Sequence, residues 1–134
     1  MKTRSFDVRR WVHYCVCVAG ILGVFARADS GVIPQGNKLT LGKLCERIDV
    51  GIKVSETNEN AKKYPDVRND IFGNAVRNVN AIGRLGDRTA IPFLEEKSLM
   101  TNVPAFFRSC VAETYANLAT AEECAAFLPK ILKI

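Results

Sequence analysis

Of the side chains that most often carry nucleophilic or metal chemistry, this 134-residue chain has one histidine and five cysteines. The histidine, His13, lies in an N-terminal segment whose pattern predicts its removal. Without His13, the chain has no imidazole to act as the general base of a Ser-His or Cys-His arrangement. We therefore expect no catalytic constellation of this kind, and the enzyme class is disfavoured.

The cysteines beyond that segment are Cys45, Cys110 and Cys124, and they include no Cys-x-x-Cys pair. Structural zinc sites place their ligands at short spacings, so the sequence predicts no metal site, and it predicts no bound cofactor either. Three cysteines cannot all pair within one chain. One bridge plus a free thiol, a bond to another chain, and three small buried thiols all stay open, with the buried thiols favoured.

Two pairs of adjacent carboxylates, Glu95-Glu96 and Glu122-Glu123, are the remaining candidates for acid–base chemistry. Neighbouring residues of a helix point about 100° apart, so such a pair cannot converge on one substrate atom. Glycoside hydrolysis needs two carboxyl groups held across a cleft, and no cluster of aromatic residues accompanies either pair. We interpret both pairs as part of a solvated helix surface.

The N-terminus has the three parts of a secretory signal peptide. Residues 1–13 are basic, residues 14–26 form one uncharged apolar run, and Ala26 and Ala28 stand before a cleavage site at Asp29. The run of 13 residues is short of the roughly 20 that cross a bilayer, so no stable membrane insertion is expected after cleavage. A buried N-terminal helix and an uncleaved anchor are the alternatives. The prediction is an exported protein, periplasmic or extracellular, with a signal peptide over residues 1–28.

Removal of the signal peptide changes the charge balance. Residues 1–28 contain five basic residues and one acidic residue, which leaves 14 basic and 13 acidic residues and a net charge of +1. Proteins that bind nucleic acid through phosphates need a concentrated basic patch. The interspersed charges of the mature chain therefore argue against a nucleic-acid partner.

Apolar residues of the mature chain recur every three or four positions, which predicts an all-α fold. Residues 29–38 are expected to be a flexible leader, and a first helix is expected from Thr40 to about Lys53. The polar residues 54–64 lack periodicity and predict a surface loop. Pro65 is expected to open a helix whose apolar face continues to Leu85, with a possible break at Gly73-Asn74.

Turn residues divide the second half of the chain into further helices. Gly86 suits the left-handed position that ends a helix, and Asp87 can cap the next one, over residues 88–99. Pro104 is expected to open a helix that carries Phe107, Val111, Tyr115 and Leu118 at helical spacing. A short turn at Ala119-Thr120 then leads to the last helix.

The two halves of this region are similar to each other at an offset of 33 residues. Residues 81–87 (AIGRLGD) align with residues 114–120 (TYANLAT), with a helix, a short turn and a second helix on each side. A helical hairpin that recurs at this period is typical of a solenoid. Residues 81–94 (AIGRLGDRTAIPFL) resemble the short HEAT-like repeat of lyase-type repeat proteins, and residues 107–118 (FRSCVAETYANL) resemble its first helix.

The resemblance implies a short HEAT-like helical-hairpin solenoid with two hairpins over residues 74–134, preceded by a divergent helical cap over residues 39–73. It departs from the family at Ala75, where arginine is usual, and at Ala119-Thr120, which replaces the Gly-Asp turn. HEAT-like arrays mostly hold other macromolecules, so the resemblance implies a non-catalytic interaction module or adaptor of the cell envelope. A helper of a cofactor-attachment system and a self-assembling structural protein are the alternatives.

Phe106 is the candidate residue for binding a partner protein. Phe107 belongs to the apolar stripe with Val111, which leaves Phe106 at the edge of that stripe. One interpretation is that Phe106 packs between neighbouring repeats. The other is that it is a partly exposed anchor, since aromatic residues are enriched in the cores of interfaces.

Overall fold

The computed structural model describes residues 39–134. The predicted signal peptide of residues 1–28, its cleavage site at Ala26, Ala28 and Asp29, and the leader of residues 29–38 lie outside the described residues. The prediction of an all-α fold is confirmed, because residues 39–134 contain α-helices, one 3-10 turn at Arg88–Ala90 and no strand. The helices are α1 (Leu41–Thr57), α2 (Glu59–Lys63), α3 (Pro65–Leu85), α4 (Ile91–Ser98), α5 (Ala105–Leu118) and α6 (Ala121–Ile131).

Local residues explain most of the helix ends. Pro65 occupies the first turn of α3, and Gly86 ends this helix with a φ of 66°, as predicted. The Asp87 side chain accepts a hydrogen bond from the Thr89 N–H at 2.9 Å and so caps the 3-10 turn. Thr120 and Glu123 form a reciprocal capping box at the start of α6, which the sequence analysis did not identify.

The predicted loop over residues 54–64 is wrong, because most of this segment is helical. Helix α1 continues to Thr57, and its last turn buries Ser55, whose hydroxyl donates to the Ile52 carbonyl at 2.7 Å. Asn58 then caps α2 by accepting hydrogen bonds from the N–H groups of Asn60 and Ala61. The sequence lacks apolar periodicity here, and side-chain hydrogen bonds to the backbone stabilise the helix ends instead.

The possible break at Gly73-Asn74 does not occur. Helix α3 is continuous over 21 residues, and a glycine in a helix interior costs only about 1 kcal/mol. Phe72 and Ala75 are buried on either side of Gly73, so packing offsets that cost. The division between residues 39–73 and 74–134 therefore runs through the middle of one helix. Leu85, expected on the apolar face, is exposed at the end of α3.

Helices α1, α3 and α5 form one layer. A Cβ atom added at Gly51 of α1 would lie 3.9 Å from side-chain atoms of Ile71 and Ala75 in α3, so the two helices are in contact here. On the other side of α3, the rings of Phe72 and Phe107 are 5.2 Å apart, and the Cys110 thiol donates to the Asn80 side chain at 3.4 Å. From the first of these contacts (Phe72 with Phe107) to the second (Asn80 with Cys110), the residue numbers rise in both helices, so α3 and α5 run parallel.

Helices α4 and α6 pack behind this layer, where α4 contacts α5 and also reaches Asp49 of α1 through Lys97, and α4 and α6 run parallel. Arg88, just before α4, pairs with Glu123 at 2.7 Å, and Glu95 of α4 pairs with Lys130 of α6. The ring of Tyr115 in α5 lies 4.4 Å from the ring of Phe127 in α6. The partners within each parallel pair of helices are thus 30 to 35 residues apart in the chain.

One close helix contact in the first layer leads to a prediction. A Cβ atom at Gly83 would lie 3.3 Å from Cγ2 of the buried Thr114, so α3 and α5 approach each other closely here. Because a β-branched side chain is stiff, Thr114 cannot rotate away. We expect Gly83→Leu to lower the free energy of unfolding by about 1–3 kcal/mol through overpacking.

The matched control for this substitution is Gly42→Leu, because nothing lies within 4 Å of the Cβ position of Gly42 in the first turn of α1. Urea unfolding followed by circular dichroism measures both variants. Equal stability of the two variants would contradict the close approach of α3 and α5 at Gly83.

Candidate functional site

Lys97 is the charged residue most deeply enclosed by protein among residues 39–134, and it lies at the contact between α4 and α1. Its side chain is 10% exposed, and its ammonium group is 2.8 Å from a carboxylate oxygen of Asp49 and 2.7 Å from one of Glu96. The same ammonium lies 5.1 Å from the centre of the Phe93 ring. A buried lysine needs such partners, because an unpaired buried charge is strongly unfavourable.

The pKa values in this cluster argue for a structural role. Burial lowers the pKa of Lys97, but hydrogen bonds to Asp49 and Glu96 outweigh this effect, and the pKa is raised overall. Burial raises the pKa of the neighbouring Cys45 thiol, and the charge of Asp49 raises it further. A nucleophilic lysine or cysteine needs a lowered pKa, so the raised pKa values favour a cluster whose role is to join α4 to α1.

The other candidate cysteines have similar surroundings. Cys110 is half-buried in α5, and burial together with the charge of Glu113 raises the pKa of its thiol. No disulfide joins Cys45, Cys110 and Cys124 within residues 39–134, and all three side chains are partly rather than fully buried. The favoured interpretation of three small buried thiols agrees with the lack of a bridge among these residues, but each of the three side chains is only partly buried.

The carboxylate pairs are engaged in structural contacts. Glu95 binds Lys130 of α6, whereas Glu96 binds Lys97 of its own helix, so the two side chains of this pair point to different partners. Glu123 accepts a hydrogen bond from the Thr120 N–H, which holds the pKa of its carboxyl below the usual range with a further contribution from Arg88. Glu122 is exposed at the start of α6. Neither pair faces a common site.

Across the part of the chain that the structure describes, no group of three or more His, Cys, Asp or Glu residues is placed to hold a metal ion. The same residues contain no helix that is both long and apolar enough to cross a membrane. Their buried side-chain nitrogen and oxygen atoms all have hydrogen-bond partners. No orphaned polar atom of the described residues therefore points to a missing ligand.

Phe106 is the predicted site residue that the structure leaves exposed. It lies in the first turn of α5 with 46% of its surface accessible, whereas the adjacent Phe107 is fully buried. Phe106 is nine residues from Tyr115, about two and a half turns, so it lies on the side of α5 opposite to α6. This accessibility is what a partly exposed anchor requires, and the binding role of Phe106 stays a prediction.

Two further exposed apolar residues are on α1, and the sequence analysis did not identify them. Val50 and Val54 are 53% and 38% exposed and lie four residues apart on one face of the helix. Val54 is five residues beyond Asp49, the residue that contacts Lys97 of α4, and is therefore rotated about 140° away from α4. Val54 and Phe106 thus lie on the outer face of the layer of α1, α3 and α5, on the side away from α4 and α6.

Sequence reasoning also missed the pairing of Lys97 with Asp49. The available signal was the position of Lys97, three residues after the buried Leu94 on the apolar face of α4. Its partner Asp49 is 48 residues earlier in the chain, so only the packing of α4 against α1 brings the two side chains together.

Comparisons of the chain with protein-family models, with curated proteins and with solved structures find no match.

The raised pKa values predict a loss of stability at alkaline pH. Burial, with a further contribution from Glu95, raises the pKa of Tyr115 from 10.0 to about 12, and the pKa of Lys97 is also raised. A group whose pKa is raised by folding stabilises the protein fully below its unfolded pKa and loses that contribution as the pH rises through its folded pKa. We therefore expect the free energy of unfolding to fall between pH 10 and pH 12.

Urea unfolding across this pH range measures the effect. Tyr115→Phe should reduce the alkaline loss, because phenylalanine has no proton to release. The control is Tyr64→Phe at an exposed position of the chain, which should leave the pH dependence unchanged. A wild-type protein that is equally stable at pH 10 and pH 12 would contradict the prediction.

Proposed function

We propose that this protein is an exported, non-catalytic interaction module of the cell envelope, built as a short HEAT-like solenoid. The export part of the proposal is supported by the sequence pattern of residues 1–28, with cleavage before Asp29. The solenoid part is supported by the parallel pairs α3 with α5 and α4 with α6, whose contacting residues are 30 to 35 positions apart. That separation agrees with the sequence offset of 33 residues.

The single observation that carries the interaction role is the exposure of Phe106 on a rigid helix. An aromatic side chain loses little conformational entropy on binding, and aromatic residues are enriched among the residues that dominate binding energy. The helix that carries it is held by the buried Phe107 and Val111. Phe106 is therefore presented in a fixed position to a partner protein. The thiols of Cys45 and Cys110, by contrast, have raised pKa values that do not favour catalysis.

The experiment is site-specific photo-crosslinking of the full chain in its native cell. A photo-reactive phenylalanine analogue is placed at Phe106 and, as the matched control, at Leu132, which is exposed at the end of α6. We expect one dominant crosslinked protein from position 106 and not from position 132. We expect Phe106→Ser to lower the affinity for that protein at least tenfold, since a central aromatic anchor contributes about 2 kcal/mol or more.

The same material tests export. N-terminal sequencing of the purified protein is expected to begin at Asp29. A protein that begins at Met1, or crosslinks only to cytoplasmic proteins, would contradict the export proposal. Identical crosslinking patterns from positions 106 and 132 would contradict Phe106 as the anchor.

A further inference from the structure

The acidic and the basic residues on the exposed face of α3 lie in different halves of the helix. Asp66 and Asp70 lie in the N-terminal half of the helix and Arg77 and Arg84 in the C-terminal half, and all four are exposed. Their spacings of 4, 7 and 7 residues place them in one row along the helix. Gly73 lies in this row, between Asp70 and Arg77. The helix therefore has an acidic end and a basic end along a single line, which we call the α3 charge row.

The α3 charge row lies on the outer face of the layer, between its two neighbouring helices. Ile71 and Ala75 of α3 face Gly51 of α1, and Phe72 and Gly83 face α5. The charge row occupies the part of α3 that these contacts leave free.

The four charged side chains of the row are available for contacts with another molecule. Within residues 39–134, Asp66, Asp70 and Arg84 form no ion pair with another side chain. Arg77 contacts only Asn74 of its own helix, at 3.3 Å. A partner can therefore engage these charges without first breaking a salt bridge of the fold.

Exposed apolar side chains flank the centre of the charge row. The contact of Gly51 with Ile71 and Ala75 places the neighbouring Val50 and Val54 beside the middle of α3. The contact between Phe72 and Phe107 places Phe106 at the same level on the other side. The outer face therefore has exposed apolar side chains on α1 and on α5 at the level of Gly73, which together we call the apolar band, with acidic residues of α3 towards one end and basic residues towards the other.

We propose that this outer face of α1, α3 and α5 binds a second copy of the chain, in a two-fold pairing that crosses two antiparallel α3 helices at Gly73. The proposal deepens the proposed function, on which it rests, by naming the partner of the surface that contains Phe106. The two-fold axis lies in the interface and is perpendicular to the three helices. It places each helix opposite the same helix of the second copy, in the antiparallel direction. Asp70 then lies opposite Arg77 of the second copy, and Arg77 opposite its Asp70.

Three features of the face fit a second copy in particular. The charge row is complementary to its own reverse, whereas a partner of uniform charge would be repelled by one half of it. Gly73 has no side chain, and nothing lies within 4 Å of its Cβ position, so two backbones can approach closely at the axis. The apolar band lies at the level of the axis, where Phe106 meets the band of the second copy and loses its contact with water.

The dimensions of the face are sufficient for a stable dimer. Helix α3 has 21 residues and is about 31 Å long at 1.5 Å per residue. Three adjacent helices spaced 8–10 Å apart give a width of about 25–30 Å. With 17, 21 and 14 residues in α1, α3 and α5, this spacing gives a face of about 600–800 Å², close to the roughly 800 Å² per partner that a standard specific interface buries.

The test is the association state of the full mature chain, measured by sedimentation velocity over a range of protein concentrations. We expect a monomer–dimer equilibrium in the wild type that weakens as salt is added, because the facing charges are near the surface. In an Asp70→Arg dimer, each introduced arginine faces Arg77 of the other copy. In an Arg77→Asp dimer, each introduced aspartate faces Asp70 of the other copy. Each single variant should weaken dimerisation at least tenfold.

Mixing the two variants separates specific pairing from general damage. In a mixed dimer, the arginine introduced at position 70 of one variant faces the aspartate introduced at position 77 of the other. The remaining pair joins the native Arg77 of the first variant to the native Asp70 of the second. We expect the mixture to dimerise at least tenfold more tightly than either variant alone. Lys133→Asp, at the exposed end of the chain, is the control with the same change of charge as Arg77→Asp and should dimerise normally.

The results of this experiment are decisive and distinguish the two proposals. A wild type that stays monomeric at all concentrations, or a mixture that stays monomeric, overturns the self-pairing. If the monomer nevertheless crosslinks to a different protein through position 106, the interaction role stands and only the identity of the partner is wrong. If dimerisation is seen and Phe106→Ser does not weaken it, the self-pairing through this face is overturned. Circular dichroism of each variant confirms that it is folded.

Discussion

Phe107→Ala is expected to lower the free energy of unfolding by about 3–5 kcal/mol. Phe107 is fully buried in α5, and its ring lies 5.2 Å from the ring of the equally buried Phe72 in α3. Truncation removes this aromatic contact between parallel helices and leaves a cavity that rigid neighbours cannot close. Because small domains are stable by only about 5–15 kcal/mol in total, the variant should unfold at much lower urea concentration.

The adjacent residue is the matched control for this experiment. Phe106→Ala removes the same atoms one position earlier, from a side chain that is 46% exposed. We expect its cost to be below about 1 kcal/mol, as is usual for surface positions. Urea unfolding monitored by circular dichroism measures both variants at a protein concentration low enough to exclude self-association. Similar losses in both variants would place Phe106 in the core and would remove the basis for an exposed anchor.

Phe127→Ala is expected to detach α6 while the rest of the fold stays intact. Phe127 is the single fully buried side chain of α6, and its ring contacts that of Tyr115 at 4.4 Å. The other contacts that hold α6 include ion pairs such as Arg88 with Glu123, which contribute about 0–1 kcal/mol each, and a hydrogen bond of about 0.5–1.5 kcal/mol from the Tyr115 hydroxyl to the Glu123 carbonyl at 3.2 Å. The loss of about 3–5 kcal/mol on truncation of Phe127 would exceed the stabilisation that these contacts provide.

Hydrogen exchange distinguishes this local opening from general unfolding. We expect amide protection to fall in residues 121–131 and to stay near wild-type values in α1 and α3. The control is Leu132→Ala, at an exposed position just after α6, which should leave protection unchanged. Equal loss of protection in α1, α3 and α6 would show that α6 is an integral part of one cooperative core.

These two predictions also bear on the proposed interaction role. The outer face of α1, α3 and α5 depends on Phe72 and Phe107 and does not use α6. A Phe127→Ala variant that keeps α1, α3 and α5 folded should therefore still bind through Phe106. Loss of binding in that variant would mean that the partner also contacts α6.

Local sequence signals account for the helical class of this protein and for most of its helix boundaries. Apolar residues at helical spacing, Pro65 in the first turn of α3 and Gly86 at its left-handed end are local signals, and they act whatever the rest of the chain does. The position of Phe106 at the edge of the apolar stripe could also be predicted, because it follows from the rotation of about 100° per residue.

Which helices face each other, and which residues stay exposed, depends instead on packing between distant parts of the chain. The pairing of Lys97 with Asp49 joins residues 48 positions apart, and no local pattern specifies it. Helix α2 depends on hydrogen bonds that the Asn58 side chain accepts from the backbone. The continuity of α3 through Gly73 depends on the burial of Phe72 and Ala75. Local propensities differ by about 1 kcal/mol per residue or less, whereas burial of one large apolar side chain contributes about 1.5–3 kcal/mol, so packing overrides them.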